Sequence, residues 1–286
     1  MSSEEYRAAS QEQWGGSASE WARAAEEVES GASAAATEWM LEAADLQPGE
    51  RVLELACGAG RVGLQATPRV GAEGLVVCSD FAEPMVEAVR EGAKRLGLEN
   101  VEARVLDAEN LGLEAGESFD VVLCRFGYML MSDPLQALRE SAGALAPDGR
   151  LVLAVWGPGP ENPWLATILE TVMAHFGAPP PPPGTPGPFA LGNPARVESL
   201  LGEAGFADAS AVTLEAEQSY ESAAAWWEEI RAVSGPLAAL LDSLSKEDLE
   251  AVQQRALAAA EEYVGRDGAV VFPAAIVGAR AARAAA

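Results

Sequence analysis

A glycine-rich hexapeptide follows the first apolar run of the chain. Gly58, Gly60 and Gly63 stand at the spacing G-x-G-x-x-G, and an acid, Asp80, closes the next apolar run. A strand that leads into such glycines brings its backbone against a ligand without an intervening Cβ, at a helix N-terminus that attracts negative groups. The acid is placed to accept hydrogen bonds from both ribose hydroxyls. The spacing therefore predicts a site for a nucleoside-containing ligand.

Acidic residues beside the loop distinguish between two candidate ligands of this kind, a nicotinamide dinucleotide and S-adenosylmethionine. Glu54 lies in the first strand, where its carboxylate would oppose a pyrophosphate but would suit an ammonium and a sulfonium group. Asp107 and Ala108, after the third strand, are positioned to meet an adenine amino group and a ring nitrogen. Hydride-transfer residues are missing: neither lysine stands four residues after a tyrosine, and the histidine and cysteine content does not build a catalytic zinc site. S-adenosyl-L-methionine is the predicted cofactor, and no metal is predicted.

Apolar, β-branched runs alternate with helical patterns over the next hundred residues. The predicted strands are 51–56, 74–79, 101–107, 119–124 and 150–156. Strand, helix, strand repetition with continuous apolar strands predicts an α/β fold with a parallel, doubly wound sheet. One helix begins at Asp133-Pro134 and stops between Pro147 and Gly149, as helix capping favours.

The regular alternation ends after Trp156. A helix near 164–176 and the following proline run predict an insertion with a semi-rigid spacer. The later predicted elements are a short helix from Asn193-Pro194 to Gly205, a strand at 207–217, helices at 222–233 and 245–264, and a strand at 269–280. About fifty residues of helical pattern precede the first strand. The chain is therefore divided into a helical N-terminal lid (1–45), a core (46–157) and a cap with the C-terminal strands (158–286).

Taken in order, five segments resemble class I S-adenosylmethionine-dependent methyltransferases, especially the small-molecule branch similar to ubiquinone/menaquinone-biosynthesis (methyltransferase type 11) enzymes. The segments are VLELACGAG, VVCSDF with the nearby Met85, RVLDAENL, FDVVLCRFGYMLMSDP and LAPDGRLVLAVW. The resemblance implies a Rossmann-like, doubly wound, seven-stranded sheet whose last hairpin is antiparallel. It also fits a helical lid and helical insertions after strand 5 and between strands 6 and 7.

The resemblance assigns cofactor-binding roles within these segments. The methionine part is surrounded by Glu54, Ala56, Cys57, Gly58 and Gly60; the ribose is bound by Asp80, the adenine faces by Phe81 and Met85, the adenine edge by Asp107 and Ala108, and the ammonium side by Cys124 and Arg125. Ala56 departs from the family, in which glycine is more common at this position. Its methyl group narrows the turn without excluding the cofactor.

Methyl transfer from a sulfonium is an in-line displacement with a neutral leaving group, so alignment and water exclusion supply much of the acceleration. Two residues are candidates for a further catalytic role: His175 as a base for a phenol or enol, and Arg125 as a group that orients the acceptor. The alternatives are a histidine favoured near a helix C-terminus and an arginine in an ordinary ion pair.

Aromatic residues outside the sheet predict an apolar pocket for an aromatic or polyketide-like acceptor. The candidate substrate-binding residues are Trp14, Trp21, Tyr128, Trp164 and His175. For each aromatic residue taken alone, packing in the core is the alternative.

The net charge of −25 limits the partners of the protein. It repels nucleic acid and anionic lipid surfaces, which excludes both as expected partners. An acidic N-terminus, the lack of a membrane-spanning apolar run and three cysteines without zinc spacing predict a cytoplasmic protein with reduced thiols. The pattern leaves a homodimer open.

The sequence thus predicts a methyltransferase that acts on O, C or N of a small, apolar or aromatic molecule. Two alternatives stay open. The scarcity of bases favours a methyltransferase-like protein that binds the cofactor or a partner subunit without turnover, and the glycine spacing alone allows an NAD(P)-dependent oxidoreductase.

Overall fold

One seven-stranded sheet organises the chain. The computed structural model describes residues 3–26, 30–233 and 235–284. The strands are β1 (Arg51–Glu54), β2 (Leu75–Asp80), β3 (Val101–Val105), β4 (Phe119–Arg125), β5 (Leu145–Trp156), β6 (Phe206–Tyr220) and β7 (Val270–Arg283). Their order across the sheet is β3-β2-β1-β4-β5-β7-β6. Parts of the predicted lid and cap fall on residues 1–2, 27–29, 234 and 285–286, which lie outside the described residues.

The first five strands are parallel, and β7 runs antiparallel to both β5 and β6. The strand order reverses between β1 and β4, so the carboxyl ends of these two strands flank a crevice of the kind in which doubly wound sheets bind ligands. The predicted doubly wound sheet with an antiparallel last hairpin is confirmed.

The helices pack in layers around this sheet. They are α1 (Ser3–Gly16), α2 (Ala18–Glu26), α3 (Gly31–Ala43), α4 (Arg61–Val70), α5 (Glu83–Leu96), α6 (Pro134–Ala144), α7 (Pro163–Phe176), α8 (Pro194–Glu203), α9 (Ala223–Val233), α10 (Gly235–Asp242) and α11 (Lys246–Ala260). Helices α3, α4 and α5 cover one face, and α6 and α8 cover the other. Because both faces are covered, the central strands β1, β2 and β4 are buried at most positions, whereas β3 and β6 at the two edges of the sheet alternate with exposed residues.

The lid and the cap meet above the sheet. Helices α7, α9 and α11 pack on one another, with α7 against β7 and α10 against α9. Helices α1 and α2 contact α5 on one side and α10 and α9 on the other. The lid therefore bridges from the helix after β2 to the cap.

Some boundaries differ from those predicted. β1 ends at Glu54 and β3 at Val105, whereas β5 begins at Leu145 rather than at residue 150. Helix α10, which the sequence analysis missed, lies between the two helices predicted for this region. Its eight residues begin with Gly235-Pro236, a pair that favours a turn over a helix in the sequence. The helix packs against α1, and the sequence gives no sign of that contact.

The signals for the starts of helices were accurate, whereas α6 ends at Ala144 and not between Pro147 and Gly149, which lie in β5. Asp133 accepts a hydrogen bond from the Gln136 amide at 3.0 Å and begins α6. Ser245 accepts one from the Asp248 amide at 3.1 Å and begins α11, as its spacing predicts.

Asn162 fastens the cap to the sheet. Its fully buried amide donates to the carbonyls of Pro158 at 3.2 Å and Ala275 at 3.0 Å. The same side chain accepts from the indole N–H of Trp164 and the amide of Ala275, both at 3.1 Å. All four hydrogen-bonding positions of the side chain are used, so β7 and the start of α7 share one polar joint.

Replacing Asn162 with alanine is expected to lower the free energy of unfolding by about 3 kcal/mol, because it leaves several buried backbone and indole groups without partners. Chemical unfolding followed by circular dichroism measures this change. Asn193→Ala is the matched control, since Asn193 makes one exposed N-cap hydrogen bond to Ala195 and its loss costs about 1 kcal/mol. Equal losses for the two variants would contradict the role of the joint.

Candidate functional site

Two buried carboxylates end neighbouring parallel strands. Glu54 is the last residue of β1 and Asp80 the last residue of β2, and their side chains are 2% and 6% exposed. The glycine loop leaves β1 at this edge and continues into α4. The pairing of β1 and β2 thus brings Asp80 beside Glu54 and the N-terminus of α4.

The loop backbone approaches Asp80 directly. Gly58 has φ +54° and its amide donates to Asp80 Oδ2 at 3.0 Å, while the Ala82 amide donates to Oδ1 at 3.0 Å. Gly60, at φ +80°, is the N-cap of α4. Burial raises the pKa of Asp80, and the backbone amides around it oppose this rise. The carboxylate is therefore held at the loop with its orientation set by both oxygens.

The pKa of Glu54 is also raised. Its Oε2 accepts from the Gly63 amide at 2.8 Å, one turn into α4. Burial raises the pKa of Glu54 to about 7, although the Gly63 amide and the positive charge of Arg125 lower it. A cation that binds beside such a carboxyl group lowers its pKa and so favours the ionised form.

Ala56 occupies a left-handed conformation in the turn after β1. Its φ is +49°, which favours glycine because a Cβ crowds the backbone there. The family difference noted at this position therefore introduces strain. The Ala56 methyl group also borders Gly127, where an added Cβ would lie 2.7 Å from it.

Changing Ala56 to glycine is expected to raise the free energy of unfolding by about 0.5 kcal/mol. Relief of roughly 1 kcal/mol of left-handed strain is partly offset by the greater freedom of glycine in the unfolded chain. Ala59→Gly is the control, because φ of Ala59 is not positive and the same change is expected to destabilise by about 0.5 to 1 kcal/mol. Thermal unfolding of both variants tests this, and a clear loss of stability in Ala56→Gly would remove the strain argument.

The end of β3 forms the opposite side of the site. Asp107 Oδ1 accepts from the Glu109 amide at 2.9 Å, and a cavity of about 280 Å³ is lined by Arg7, Ala8, Gln11, Phe81, Val105 and Asp107. Arg7 lies 3.7 Å from both the Asp107 and the Glu109 carboxylates. The predicted adenine edge is therefore beside helix α1.

Helices α1 and α2 cover the predicted adenine and methionine positions. Trp14, Ala18 and Trp21 pack with Phe81, Ala82 and Met85 in a small cluster, here called the lid cluster. Gln11 Nε2 donates to the Phe81 carbonyl at 2.6 Å, and the hydroxyl of Tyr6 donates to the Leu130 carbonyl at 2.9 Å. The lid thus contacts the same residues that the resemblance assigns to adenine.

Arg125 is the last residue of β4 and is held by helix α3. Its Nη1 donates to Thr37 Oγ1 at 2.9 Å and to the Ser33 carbonyl at 3.1 Å, and its guanidinium lies 5.4 Å from the centre of the Phe126 ring. Cys124 beside it is buried, which raises the pKa of its thiol to about 12. The described hydrogen-bond acceptors of Arg125 thus both belong to helix α3, which fixes its guanidinium at the end of β4.

The remaining loop residues are buried near the same edge. Cys57 donates its amide to the Ser79 carbonyl at 2.9 Å, and burial raises the pKa of its thiol. Ala108 is also buried. These two residues support the backbone around the acids.

Two predicted substrate residues, Tyr128 and Trp164, make contacts within the fold. Tyr128 is fully buried and its hydroxyl lies 2.6 Å from Ser141 Oγ, in the core beside α6. Trp164 belongs to the joint made by Asn162. The prediction that Tyr128 reaches an acceptor is corrected, because the turn after Gly127 directs the ring inward.

His175 contacts α11. Its Nε2 lies 2.8 Å from Asp248 Oδ1, and its Nδ1 lies 3.3 Å from Arg255. These contacts agree with the alternative of a polar residue near the C-terminus of α7. The role of His175 as a base stays a prediction.

Sequence reasoning missed Arg7, Gln11 and Glu109. Glu109 is buried and accepts from the Ser132 amide and hydroxyl at 2.9 and 2.7 Å, joining the loops after β3 and β4. Its position two residues after Asp107 was an available signal. Arg7 and Gln11 had none, because their contacts depend on how α1 docks.

Within the described ranges, no group of three or more His, Cys, Asp or Glu side chains lies close enough to hold a metal ion. Across the same residues, every helix is too short or too polar to traverse a lipid bilayer.

Known proteins resemble this chain most clearly around the site. Residues 46–170 match the family model described as a methyltransferase domain. Over 180 residues the chain is 32% identical to nocamycin O-methyltransferase of Saccharothrix syringae, covering 59% of this chain and 63% of that protein. Over 129 residues it is 39% identical to demethylmenaquinone methyltransferase of Thermus thermophilus, covering 43% and 56%. The chain spans less than two thirds of the length of these curated relatives.

A solved structure extends the similarity of fold to most of the chain. The YcgJ protein of Bacillus subtilis superposes with a TM-score of 0.57 and 19% identity, covering 88% of this chain and 99% of that one. At this identity the match concerns the fold, and it includes regions outside residues 46–170.

Proposed function

We propose that this chain, whose residues 46–170 match the methyltransferase domain model, transfers a methyl group from S-adenosyl-L-methionine to a small molecule. The supporting observation is the pair of buried acids at the glycine loop. Glu54, with a pKa of about 7, is destabilised as an anion unless a positive charge lies beside it. S-adenosylmethionine carries an ammonium and a sulfonium, whereas a dinucleotide would place a pyrophosphate near two acids. This charge balance disfavours the oxidoreductase alternative.

The residues present fit this cofactor. Gly58 and Gly60 leave the loop open to a ligand, and Asp80 keeps unused lone pairs on both oxygens after accepting from two amides. We assign the methionine part to Glu54, Ala56, Cys57, Gly58 and Gly60, the ribose to Asp80, the adenine to Phe81, Met85, Asp107 and Ala108, and the ammonium side to Cys124 and Arg125. When bound, the cofactor supplies a methyl group on a positively charged sulfur.

The chain contributes orientation and exclusion of water. Helices α1 and α2 lie over the loop, so a ligand beneath them is shielded from solvent. Arg125, fixed by Thr37 and the Ser33 carbonyl, keeps a positive charge near the end of β4 that orients an acidic or carbonyl-bearing acceptor. No base is needed for an acceptor that is already nucleophilic, and His175 is retained as the candidate base for a phenol or enol.

We propose an acceptor that is apolar or aromatic. Phe126, next to Arg125, stacks on Trp156 with ring centres 3.9 Å apart, and Trp156 meets Trp164 edge to face at 4.8 Å. This aromatic ladder at the carboxyl edge of β4 and β5 offers a flat apolar wall. Trp14, Trp21 and Trp164 remain the proposed substrate-side residues. Two relatives are named nocamycin O-methyltransferase and demethylmenaquinone methyltransferase, which supports a small molecule as the acceptor.

The remaining features of the proposal concern the whole chain. Residues 1–45 serve as lid, 46–157 bind the cofactor, and 158–286 form the cap and complete the sheet. The three cysteines are unpaired thiols, which supports the cytoplasm as the compartment. The net charge of −25 argues against nucleic acid as substrate.

The test is production of S-adenosylhomocysteine from S-adenosylmethionine with a panel of phenols, quinols and amines. We expect turnover with at least one aromatic acceptor and its loss in Asp80→Asn. Calorimetric binding of the cofactor without any turnover would favour the non-catalytic alternative. Binding of NADH, with none of S-adenosylhomocysteine, would replace the proposal by the oxidoreductase.

A further inference from the structure

Trp21 of helix α2 lies over the glycine loop. The edge of its ring, at Cε3, is 3.9 Å from the position of a Cβ on Gly58. The ring is held by the lid cluster and meets Trp14 edge to face, with centres 6.2 Å apart and planes at 62°. Its position is therefore set by packing on both sides.

The indole N–H of Trp21 is buried and has no acceptor. Among the residues that the structure describes, it is the single buried side-chain nitrogen or oxygen without a hydrogen-bond partner. Two buried indoles of the cap show the usual arrangement: Trp164 donates to Asn162 Oδ1, and Trp226 donates to the Trp164 carbonyl at 2.7 Å. Because an unsatisfied buried donor is costly, an N–H in this state calls for an acceptor that a ligand supplies.

Gly58 lies beside the Cε3 edge of this ring, so the ligand proposed at the loop limits which acceptor the N–H meets. Under the proposed function, Gly58 faces the methionine part of S-adenosylmethionine. That part carries an ammonium group, a sulfonium group and a carboxylate. The first two cannot accept a hydrogen bond from an N–H, so the carboxylate is the one acceptor that remains.

The charges around the loop give the carboxylate a need for such a donor. Glu54 and Asp80 lie at this edge, and both repel a third carboxylate. Arg125 is the positive charge that lowers the pKa of Glu54. Its Nη1 already donates hydrogen bonds to Thr37 Oγ1 and to the Ser33 carbonyl. A neutral indole N–H supplies a hydrogen-bond donor to the carboxylate. It does so without placing another positive charge beside the cationic groups of the cofactor.

We propose that the indole N–H of Trp21 donates a hydrogen bond to the α-carboxylate of S-adenosylmethionine, so that the lid contacts the amino-acid end of the cofactor. This inference rests on the proposed function. It moves Trp21 from the acceptor side, where the sequence placed it, to the cofactor side. Trp21 is a binding residue in this assignment, and closure of α2 over the loop becomes linked to the presence of the carboxylate.

The experiment compares two ligands on two variants. Decarboxylated S-adenosylmethionine keeps the adenosine, sulfonium and ammonium groups and lacks the carboxylate alone. Trp21→Phe keeps an aromatic ring in the lid cluster and lacks the N–H. Dissociation constants for both ligands are measured by calorimetry on the full chain, with circular dichroism to verify that each variant is folded.

We expect Trp21→Phe to weaken S-adenosylmethionine by roughly ten- to a hundredfold, as for one hydrogen bond to a charged group. Decarboxylated S-adenosylmethionine should change by less than about threefold in the same variant. Trp14→Phe is the matched control, because it removes an indole N–H from the same cluster and should leave the ratio of the two affinities unchanged.

Equal weakening of both ligands by Trp21→Phe would show that the ring acts by packing and would overturn the proposal, as would no weakening of either. If the unaltered protein binds neither ligand, the proposed function fails as well. If the unaltered protein binds both ligands and Trp21→Phe does not change the ratio of the two affinities, the proposed function stands and the Trp21 assignment is wrong.

Discussion

Replacing Gly63 with alanine is expected to reduce the free energy of unfolding by about 3 kcal/mol and to weaken S-adenosylmethionine binding by more than tenfold. An added Cβ at this position would lie 2.5 Å from Glu54 Oε2 and still closer to Cys78 Sγ. Both neighbours are buried in the sheet beneath α4, so neither can move without disturbing a strand. The carboxylate of Glu54 and the start of α4 would be forced apart.

The loss of binding follows from the same displacement. The Gly63 amide donates to Glu54 Oε2 at 2.8 Å, which fixes the carboxylate that we assign to the cationic end of the cofactor. Separation of α4 from β1 lengthens this hydrogen bond and shifts the glycine loop. Chemical unfolding measures the stability change, and calorimetry with S-adenosylhomocysteine and S-adenosylmethionine measures the binding change.

Gly143→Ala provides the control for the substitution itself. Gly143 is an exposed helical glycine in α6 with no atom within 4 Å of an added Cβ. Alanine there is expected to stabilise by up to about 1 kcal/mol through helix propensity and to leave binding unchanged. If Gly63→Ala behaved like Gly143→Ala, the close approach of α4 to Glu54 would not be a requirement of the fold.

The affinity for S-adenosylmethionine is expected to rise about tenfold between pH 6 and pH 8, with release of a proton on binding. Glu54 has a pKa of about 7 in the absence of ligand, chiefly because of burial. At pH 6 most of the protein carries a neutral Glu54, and a cationic ligand must first displace that proton. At pH 8 the carboxylate is already ionised, so binding does not include this cost.

Stability of the ligand-free protein should change in the opposite direction. A carboxyl group whose pKa is raised in the folded state binds more protons than in the unfolded state. Its contribution is therefore most favourable below the unfolded value of 4.5 and is lost as the pH rises towards and through about 7. Between pH 5.5 and pH 8 the ligand-free protein loses stability from this group while it gains affinity for the cofactor.

Glu54→Gln separates the two effects. The amide keeps an oxygen for the Gly63 amide but does not titrate, so the pH dependence of binding should disappear and the affinity at pH 8 should fall at least tenfold. Stability at pH 8 should be equal to or greater than that of the unaltered protein, since a buried anion is removed. Calorimetry in two buffers of different ionisation enthalpy counts the released protons. An unchanged pH profile in Glu54→Gln would assign the proton to another group.

Short-range signals predicted a large part of this molecule. The sequence predicted the five parallel strands, the Ser245 cap of α11 and the glycine loop before α4. Each of these features is determined by residues within a few positions of one another. The acids Glu54 and Asp80 were predicted to share one edge, since parallel strands end on the same side of a sheet. The remote resemblance supplied the antiparallel last hairpin.

The tertiary structure alone decided which side chains meet there. The direction in which a side chain points after a strand, and the face that a distant helix presents, depend on the packing of segments far apart in the sequence. Tyr128 turns into the core towards Ser141, and His175 pairs with Asp248 on a helix 73 residues away. For the same reason the docking of α2, which places Trp21 on Gly58, had no local signal. The pKa of Glu54 likewise depends on burial, which exists only once α4 covers β1.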